Sequence, residues 1–296
     1  MNLLIKIEPH QNLSHFRQKI DGCTSGHPLV REFKQVLKME GTGRVVSLSR
    51  LRSLVAVNSG MENLSSGNQQ DGVEFMTFLM DILPVEFTFH SRLEKVSFKY
   101  TESGTCPICG NFPNDRIETG NILHLSIANS GSNTIANLLV NYFSSQSLEG
   151  GKRCLYCCTH ETCCPRTGKC VSRPVTTERK IVDFPNVLFI QVKRFETNFR
   201  TGYSSKILTD VKVEESVTMD GVTYNIKGIL NHIGTFENGH YTAIIKNKGL
   251  WYLCDDSNFP KVIAPKEVFN NCNYLFVYEK SKKCLKRFLQ ELIRSM

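Results

Sequence analysis

His240 lies in the segment whose residue types and spacing best suit acid–base chemistry. It directly follows a glycine-containing segment, residues 234–239, and it precedes the strand-like run 241–246. A second strand-like run, residues 251–254, comes after a short link. Such a link predicts two adjacent antiparallel strands, with the end of the second strand beside His240.

Asp255 and Asp256 end the second of these runs, so either carboxylate is expected beside the His240 imidazole. A carboxylate bound to one ring nitrogen fixes the tautomer of a histidine and stabilises its protonated form. In a cysteine hydrolase the imidazole draws a thiol toward the thiolate. Spacing alone leaves two interpretations of this pair: an acid–base catalyst or a structural hydrogen bond.

Cysteines are the second feature with chemical content. Of the 12 cysteines, seven lie from Cys109 to Cys170, and two C-x-x-C pairs stand out, Cys106 with Cys109 and Cys154 with Cys157. Each such turn places two thiolates near one metal, and two turns complete a tetrahedral site. We therefore predict that these four cysteines bind a structural zinc ion that has a folding role.

Alternatives to this zinc assignment stay open. The thiols are either zinc ligands or free, buried or redox-active cysteines. Five other residues nearby could also act as metal ligands: Cys158, His160, Cys163, Cys164 and Cys170. A second zinc ion, or a different fourth ligand, therefore also agrees with the sequence.

Length and composition are those of an ordinary globular chain. It has 296 residues, of which 41% are hydrophobic and 22% charged. It has no transmembrane segment by hydropathy, because no apolar stretch approaches the ~20 residues that such a helix needs. The run after Met1 is too short and too interrupted for a signal peptide. We expect an intracellular protein, cytoplasmic and/or nuclear.

The formal net charge of +8 favours acidic partners. A zinc-ribbon nucleic-acid binder would need this charge among aromatic residues as a stacking surface, whereas much of it lies near the end of the chain. The two C-x-x-C pairs are also 44 residues apart, too far for a compact finger. We expect no nucleic-acid binding.

The elements predicted around these residues place helices first and strands afterwards. Helices are predicted over 27–38 and 68–83, the second ending at Pro84. Strands are predicted over 122–127, 187–195, 223–230, 241–246 and 274–278, with a hairpin turn at Asp220-Gly221. This order is typical of an α+β fold.

The end of the chain, residues 280–296, is a basic amphipathic segment. It places apolar residues on one helical face: Leu285, Phe288, Leu289, Leu292 and Ile293. Such a helix either packs on its own domain or contacts a partner protein or a membrane surface.

Four blocks of residues resemble the catalytic domain of the ubiquitin-specific proteases, which are cysteine deubiquitinases. The blocks are NQQDGVEF at 68–75, the two C-x-x-C pairs, FPNVLFIQVKRF at 184–195, and GHYTA at 239–243 with WYLCDDS at 251–257. The likeness covers residues 1–279. It implies a papain-like cysteine protease core of the α+β class. Residues 1–95 resemble an incomplete helical thumb, and residues 96–279 resemble zinc-knuckle fingers and an antiparallel β palm.

The resemblance also implies roles for the site residues. His240 would be the general base and later the general acid. Asp255 matches the orienting position best, with Asp256 close behind.

Three residues near the second predicted helix are implied to bind ubiquitin. Asp71 and Glu74 stand three positions apart at the helix start, so they share one face. By resemblance they contact the basic, glycine-ending tail of ubiquitin, and Gln70 helps to shape the same cleft. Stabilisation of the helix N-terminus is a second role open to Asp71, and the two roles are compatible.

The nucleophilic cysteine of the family is not present in this chain as written. The family block has the form Asn-x-x-Cys-aromatic-Met-Asn, and Met1-Asn2 matches its end, so we expect a sequence that begins inside the block. Cys23 lacks the flanking residues of the block and is not expected to replace that cysteine.

The resemblance implies a thiol-dependent ubiquitinyl hydrolase whose partners are ubiquitin and ubiquitinated proteins. Such an enzyme hydrolyses the isopeptide bond at the C-terminal glycine of ubiquitin through a thioester intermediate. It thereby removes ubiquitin from protein conjugates. The alternative is a catalytically inactive scaffold that binds ubiquitin.

Overall fold

The computed structural model describes most of the chain between residues 26 and 281. The described residues are 26–39, 47, 49–59, 70–88, 96–105, 116–128, 132–144, 146–152, 173–256 and 258–281. Residues 282–296, which include most of the predicted amphipathic tail, lie outside them.

Helices occur mainly in the first part of the described chain. They are α1 (Pro28–Met39), α2 (Ser49–Ser59), α3 (Gly72–Thr88), α4 (Ile135–Phe143) and α5 (Pro265–Val268). No described helix is both long enough and apolar enough to span a bilayer.

Strands form most of the remainder. They are β1 (Phe98–Thr105), β2 (Arg116–Gly120), β3 (Ile122–Ser126), β4 (Gln146–Lys152), β5 (Arg173–Asp183), β6 (Val187–Lys193), β7 (Phe195–Thr197), β8 (Ser204–Lys206), β9 (Ser216–Met219), β10 (Val222–Gly234), β11 (Gly239–Asn247), β12 (Leu250–Cys254), β13 (Lys261–Ile263) and β14 (Asn273–Lys280). All five predicted strand segments are confirmed.

The helices α1, α2 and α3 pack around a small core of their own. Its buried members are Leu29, Val30, Leu51, Val55, Ala56 and Leu79. The predicted helix over 27–38 is therefore confirmed as α1. The prediction that the next helix ends at Pro84 was wrong, because α3 continues to Thr88. A proline removes one hydrogen bond inside a helix, but the bonds on either side can carry the helix past it.

The main sheet has the strand order β13-β12-β11-β10-β14-β6-β3. Strand β9 pairs with the start of β10. The predicted antiparallel arrangement is confirmed for every pair except β3 with β6, which is parallel. A second sheet has the order β2-β1-β5-β4, and β7 with β8 forms a separate hairpin.

Two tight turns set the register of β9 with β10 and of β11 with β12. The predicted hairpin at Asp220-Gly221 is confirmed, since both residues have positive φ, 45° and 76°, and Met219 pairs with Val222. Lys248 and Gly249 make the same kind of turn, with φ of 45° and 84°, between β11 and β12. Two successive left-handed residues match the twist of adjacent antiparallel strands.

Helix α3 lies against the main sheet through its other face. Val73 and Met80 are buried in a cluster with Phe189, Tyr241 and Tyr274, which belong to β6, β11 and β14. The first turn of α3 is thereby fixed over β11, the strand that carries His240.

Candidate active site

His240 and Asp255 come together because β11 and β12 are adjacent antiparallel strands. The register pairs Ala243 with Cys254, so Asp255, the next residue, leaves β12 beside the start of β11. The backbone N–H of Asn258 then donates to the Asp255 carbonyl at 2.9 Å and closes a turn. The predicted juxtaposition of His240 with an aspartate at the end of this strand is confirmed.

A hydrogen bond of 2.6 Å joins His240 Nε2 to Asp255 Oδ1. Because a carboxylate only accepts, the proton of the neutral ring lies on Nε2, and Nδ1 keeps its basic lone pair. The two side chains are 44% and 40% exposed, so the pair is open to a substrate. Chemically this is a histidine held in one tautomer and ready to take a proton through Nδ1.

Asp256 lies close to the pair but is held differently. Its φ of 44° places it in the left-handed region, which aspartate tolerates better than most residues. His240, Asp255 and Asp256 each offer one ligand atom, and these atoms lie within 4.8 Å of one another. Two ligands of one tetrahedral zinc stand roughly 3.3 Å apart for bonds of about 2 Å, whereas the 2.6 Å contact fits a shared proton.

The turn that leads into His240 is tightly closed. Gly234 and Gly239 are the last pair of the β10–β11 ladder. Between them the Thr235 N–H donates to the Asn238 carbonyl at 2.8 Å, and the Asn238 N–H donates to Thr235 Oγ1 at 3.2 Å. Gly234 has a φ of 122°, and a Cβ there would overlap the Asn238 carbonyl, so the turn requires glycine at this position.

Asp71 caps α3, as one of its two predicted roles requires. Its Oδ1 accepts hydrogen bonds from the N–H groups of Val73 at 2.6 Å and Glu74 at 3.3 Å. Its other oxygen, Oδ2, accepts a hydrogen bond of 2.6 Å from the Tyr274 hydroxyl. The carboxylate therefore joins the start of α3 to strand β14.

A chain of hydrogen bonds continues from Tyr274 away from the helix. Gln191 Nε2 donates to the Tyr274 hydroxyl oxygen at 2.7 Å, and Gln191 Oε1 is hydrogen-bonded to His124 Nδ1. Burial and the adjacent Asp71 charge raise the pKa of Tyr274 above its usual range. The phenol consequently stays protonated and keeps its hydrogen on the side of Asp71.

Tyr241 forms a second contact between α3 and the sheet. A Cβ at Gly72 would lie 3.1 Å from a carbon of the Tyr241 ring, so the helix approaches β11 closely at this point. Burial, followed by the Asp71 charge, raises the pKa of Tyr241 to about 12. Tyr241 directly follows His240 in β11, and this contact links the helix start to the acid–base pair.

The two remaining predicted ubiquitin-binding residues differ in exposure. Gln70 is partly buried just before α3, whereas Glu74 is exposed in its first turn. Glu74 therefore presents its carboxylate to solvent beside the Asp71 cap.

Two cysteines, Cys254 and Cys272, lie among the described residues, and neither forms a disulfide. Burial raises the pKa of the Cys254 thiol, the opposite of what a thiolate nucleophile needs. Cys272 Sγ contacts Asn271 Oδ1 at 3.6 Å. Cys23, Met1 and Asn2 lie outside the described residues.

The predicted zinc ligands Cys106, Cys109, Cys154 and Cys157 also lie outside the described residues. The strands that lead to them are described. Strand β1 ends at Thr105, opposite Thr176 of β5, and β4 ends at Lys152, opposite Arg173. Both strands therefore end near the start of β5, at one end of the second sheet.

Sequence reasoning missed the polar residues that support the site from within the sheet. Tyr274 and Gln191 fall inside strands that were predicted from their apolar neighbours, and His232 is buried at the end of β10. A polar side chain inside an apolar strand run was the available signal, because a buried polar group needs a partner.

The family model described as ubiquitin carboxyl-terminal hydrolase matches residues 2–278. Ubiquitin carboxyl-terminal hydrolase 25 of Arabidopsis thaliana is 24% identical over 93% of this chain and 43% of its own length. Ubiquitin carboxyl-terminal hydrolase 2 of Homo sapiens is 24% identical over 90% of this chain and 49% of its own length. The chain thus spans less than half the length of these curated relatives.

Two solved structures of the SAGA deubiquitinase module have a similar fold. The Ubp8/Sgf11/Sus1/Sgf73 module bound to ubiquitin aldehyde matches with a TM-score of 0.68 at 20% identity, over 92% of this chain and 64% of that chain. The module bound to monoubiquitin matches with a TM-score of 0.69 at 20% identity, over 95% and 69%. These likenesses confirm the predicted α+β fold with a papain-like core.

Proposed function

The chain belongs to the ubiquitin carboxyl-terminal hydrolase family, and on this basis we propose that it is a cysteine-type deubiquitinase. It would hydrolyse the isopeptide bond between the C-terminal glycine of ubiquitin and a lysine of a protein conjugate. Its partners would be ubiquitin and ubiquitinated proteins. The relatives, named as ubiquitin carboxyl-terminal hydrolases, support this assignment.

The single observation that carries the proposal is the hydrogen bond between His240 Nε2 and Asp255 Oδ1. It leaves Nδ1 as the basic nitrogen, which would take the proton of the family's nucleophilic thiol, a cysteine that this chain as written does not contain. The thiolate attacks the glycine carbonyl, and His240 returns the proton to the leaving lysine amine. Water then hydrolyses the thioester, again with His240 as the base. Asp255 stabilises the imidazolium that forms in each half-reaction.

The start of α3 would bind the tail of ubiquitin. Glu74 is exposed and Asp71 is partly buried beside it, so two carboxylates lie on one side of the helix start. Carboxylates accept strong, charge-assisted hydrogen bonds from arginine, which suits a basic peptide. Gln70, just before the helix, adds a neutral donor and acceptor. The SAGA module structures with bound ubiquitin aldehyde or monoubiquitin support a ubiquitin site in this fold.

A structural zinc ion would bind at one end of the second sheet. Cys106 and Cys109 directly follow β1, and Cys154 and Cys157 closely follow β4. Because both strands end near the start of β5, their next residues can meet around one ion. Four thiolates are a complete ligand set for zinc, which would stabilise the fold there and leave the chemistry to His240 and Asp255.

The test uses the full-length protein with its native N-terminus. Hydrolysis of ubiquitin carrying a fluorogenic C-terminal amide is measured beside ubiquitin affinity. The wild type is expected to bind and turn over this substrate, and His240→Gln to bind without turnover. Binding without turnover by the wild type would favour the scaffold alternative. Absence of both would overturn the proposal.

A further inference from the structure

Lys206 links the β7–β8 hairpin to the end of β10. Its Nζ donates to the His232 carbonyl at 2.6 Å and to the Gly234 carbonyl at 3.2 Å. It also lies 3.2 Å from His232 Nδ1. These three acceptors match the three N–H donors of an ammonium group, so the side chain is fully engaged in this contact.

The hairpin that carries Lys206 is itself fixed to the sheet. Arg194 is 0% exposed and donates through Nε to the Asn273 carbonyl at 2.7 Å. Its Nη1 donates to the carbonyls of Ile207 at 3.1 Å and Thr209 at 3.0 Å, directly after Lys206. Lys206 therefore extends from a backbone segment that is held in place independently of its own ammonium group.

The other end of the contact lies against the residue before His240. His232 is 5% exposed, and its ring packs against Phe195, Tyr241 and Tyr274 at centroid distances of 5.3, 4.9 and 6.1 Å. A Cβ at Gly239 would overlap His232 Nε2. The imidazole thus fills the space between Lys206 and the backbone that enters His240.

We propose that Lys206 is a positioning residue for His240, because its contacts with His232 and Gly234 hold the turn 235–238 and the start of β11 in place. The inference rests on the proposed function, since it concerns the geometry of the same acid–base pair. Lys206 touches neither His240 nor Asp255 and acts through His232 and Gly234. Holding a catalytic base in place matters because small misplacements of reacting groups cost large factors in rate.

The charge state of His232 fits this role. Nδ1 accepts from an ammonium group only if the ring is neutral, with its proton on Nε2. The charged and titratable groups that face the ring are Lys206, Asp71, Tyr241 and Tyr274. Burial and then Lys206 lower the pKa of His232, against a smaller raising effect of Asp71. Protonation would set two cations against each other and release the contact.

Lys206→Met tests the contact, because it keeps an unbranched side chain that is one atom shorter and removes the N–H donors. Lys227→Met is the matched control. Lys227 lies in β10 itself, but its 3.0 Å ion pair with Glu279 is partly exposed and lies far along the strand from Gly234. Amide hydrogen exchange over 234–240 and an NMR titration of the His232 ring are measured in the wild type and both variants.

Lys206→Met is expected to speed exchange in the turn by about tenfold or more and to raise the pKa of His232, while Lys227→Met changes neither. In the full-length enzyme, kcat should fall more than KM changes. Unchanged exchange and an unchanged His232 titration would overturn the inference.

Two further measurements keep the test decisive. If Lys206→Met does not fold, the pH titration of the wild type replaces it. The NMR signals of amides 234–240 should then shift with the same midpoint as the His232 ring. Amide signals that do not follow the His232 titration would refute the contact. A wild type that neither binds nor hydrolyses ubiquitin, but whose turn loosens in Lys206→Met, would refute the proposed function and leave the positioning contact standing.

Discussion

The Tyr274 hydroxyl donates a 2.6 Å hydrogen bond to Asp71 Oδ2, between residues 203 positions apart in the chain. Asp71 directly precedes α3, and Tyr274 lies in β14, an interior strand of the main sheet between β10 and β6. The bond therefore joins the helical part of the chain to the strands. Because Oδ1 of the same carboxylate caps the helix, one side chain fixes both the helix start and its position over the sheet.

Tyr274→Phe removes this bond and keeps the ring. A hydrogen bond to a charged group contributes about 1.5–3 kcal/mol, so the free energy of unfolding should fall by that amount. Tyr278→Phe is the matched control, because its hydroxyl donates at 2.8 Å to the Glu214 carbonyl, away from α3. Denaturant unfolding measures both variants. Ubiquitin affinity should fall in Tyr274→Phe only. An equal fall of ubiquitin affinity in both variants would contradict a specific role for Tyr274.

Asp71 is expected to combine a structural and a binding role, and two substitutions separate them. Asp71→Asn keeps an oxygen for the cap but loses the charged acceptor of the Tyr274 hydroxyl, so its free energy of unfolding should fall by about 1.5–3 kcal/mol, as in Tyr274→Phe, and it should bind ubiquitin more weakly than Tyr274→Phe. Asp71→Ala should lose about 1 kcal/mol more than Asp71→Asn, because the helix also loses its cap. Denaturant unfolding and ubiquitin affinity are measured together. Full affinity in a folded Asp71→Asn variant would refute the binding role.

Local patterns predicted the parts of the site that neighbouring strands create. The short link between β11 and β12 was enough to place either Asp255 or Asp256 beside His240, since the register of a tight hairpin follows from its turn. The Asp220-Gly221 turn was predictable for the same reason.

Contacts between distant segments could not be predicted from the sequence. Nothing local pairs Tyr274 with Asp71, and nothing local pairs Lys206 with His232, because these contacts exist only once the strands have assembled. The short helix α2 was also missed, since its buried residues Leu51, Val55 and Ala56 are packed by α1 and α3 rather than marked by a strong periodicity. The parallel pairing of β3 with β6 likewise depends on the whole topology.

Removal of the predicted zinc ion should destabilise the second sheet. Purified protein is expected to carry about one zinc per chain, measured by elemental analysis, and Cys106→Ser should lower both zinc content and melting temperature. Cys272→Ser is the control, because Cys272 lies in the main sheet region beside Asn271 and should keep the metal. Protein without zinc that keeps its melting temperature in a chelator would contradict the assignment.

Asp255 and Asp256 are expected to contribute unequally to turnover. Asp255 alone shares a 2.6 Å hydrogen bond with His240, so Asp255→Asn should lower kcat by about 10²-fold or more, the scale of general acid–base catalysis. Asp256→Asn should cost less than about tenfold, because asparagine also tolerates the left-handed φ of 44° and only the more distant charge is lost. Steady-state hydrolysis of a fluorogenic ubiquitin substrate by the full-length protein gives both values, and circular dichroism checks that both variants fold. A loss in Asp256→Asn equal to or larger than that in Asp255→Asn would transfer the orienting role to Asp256.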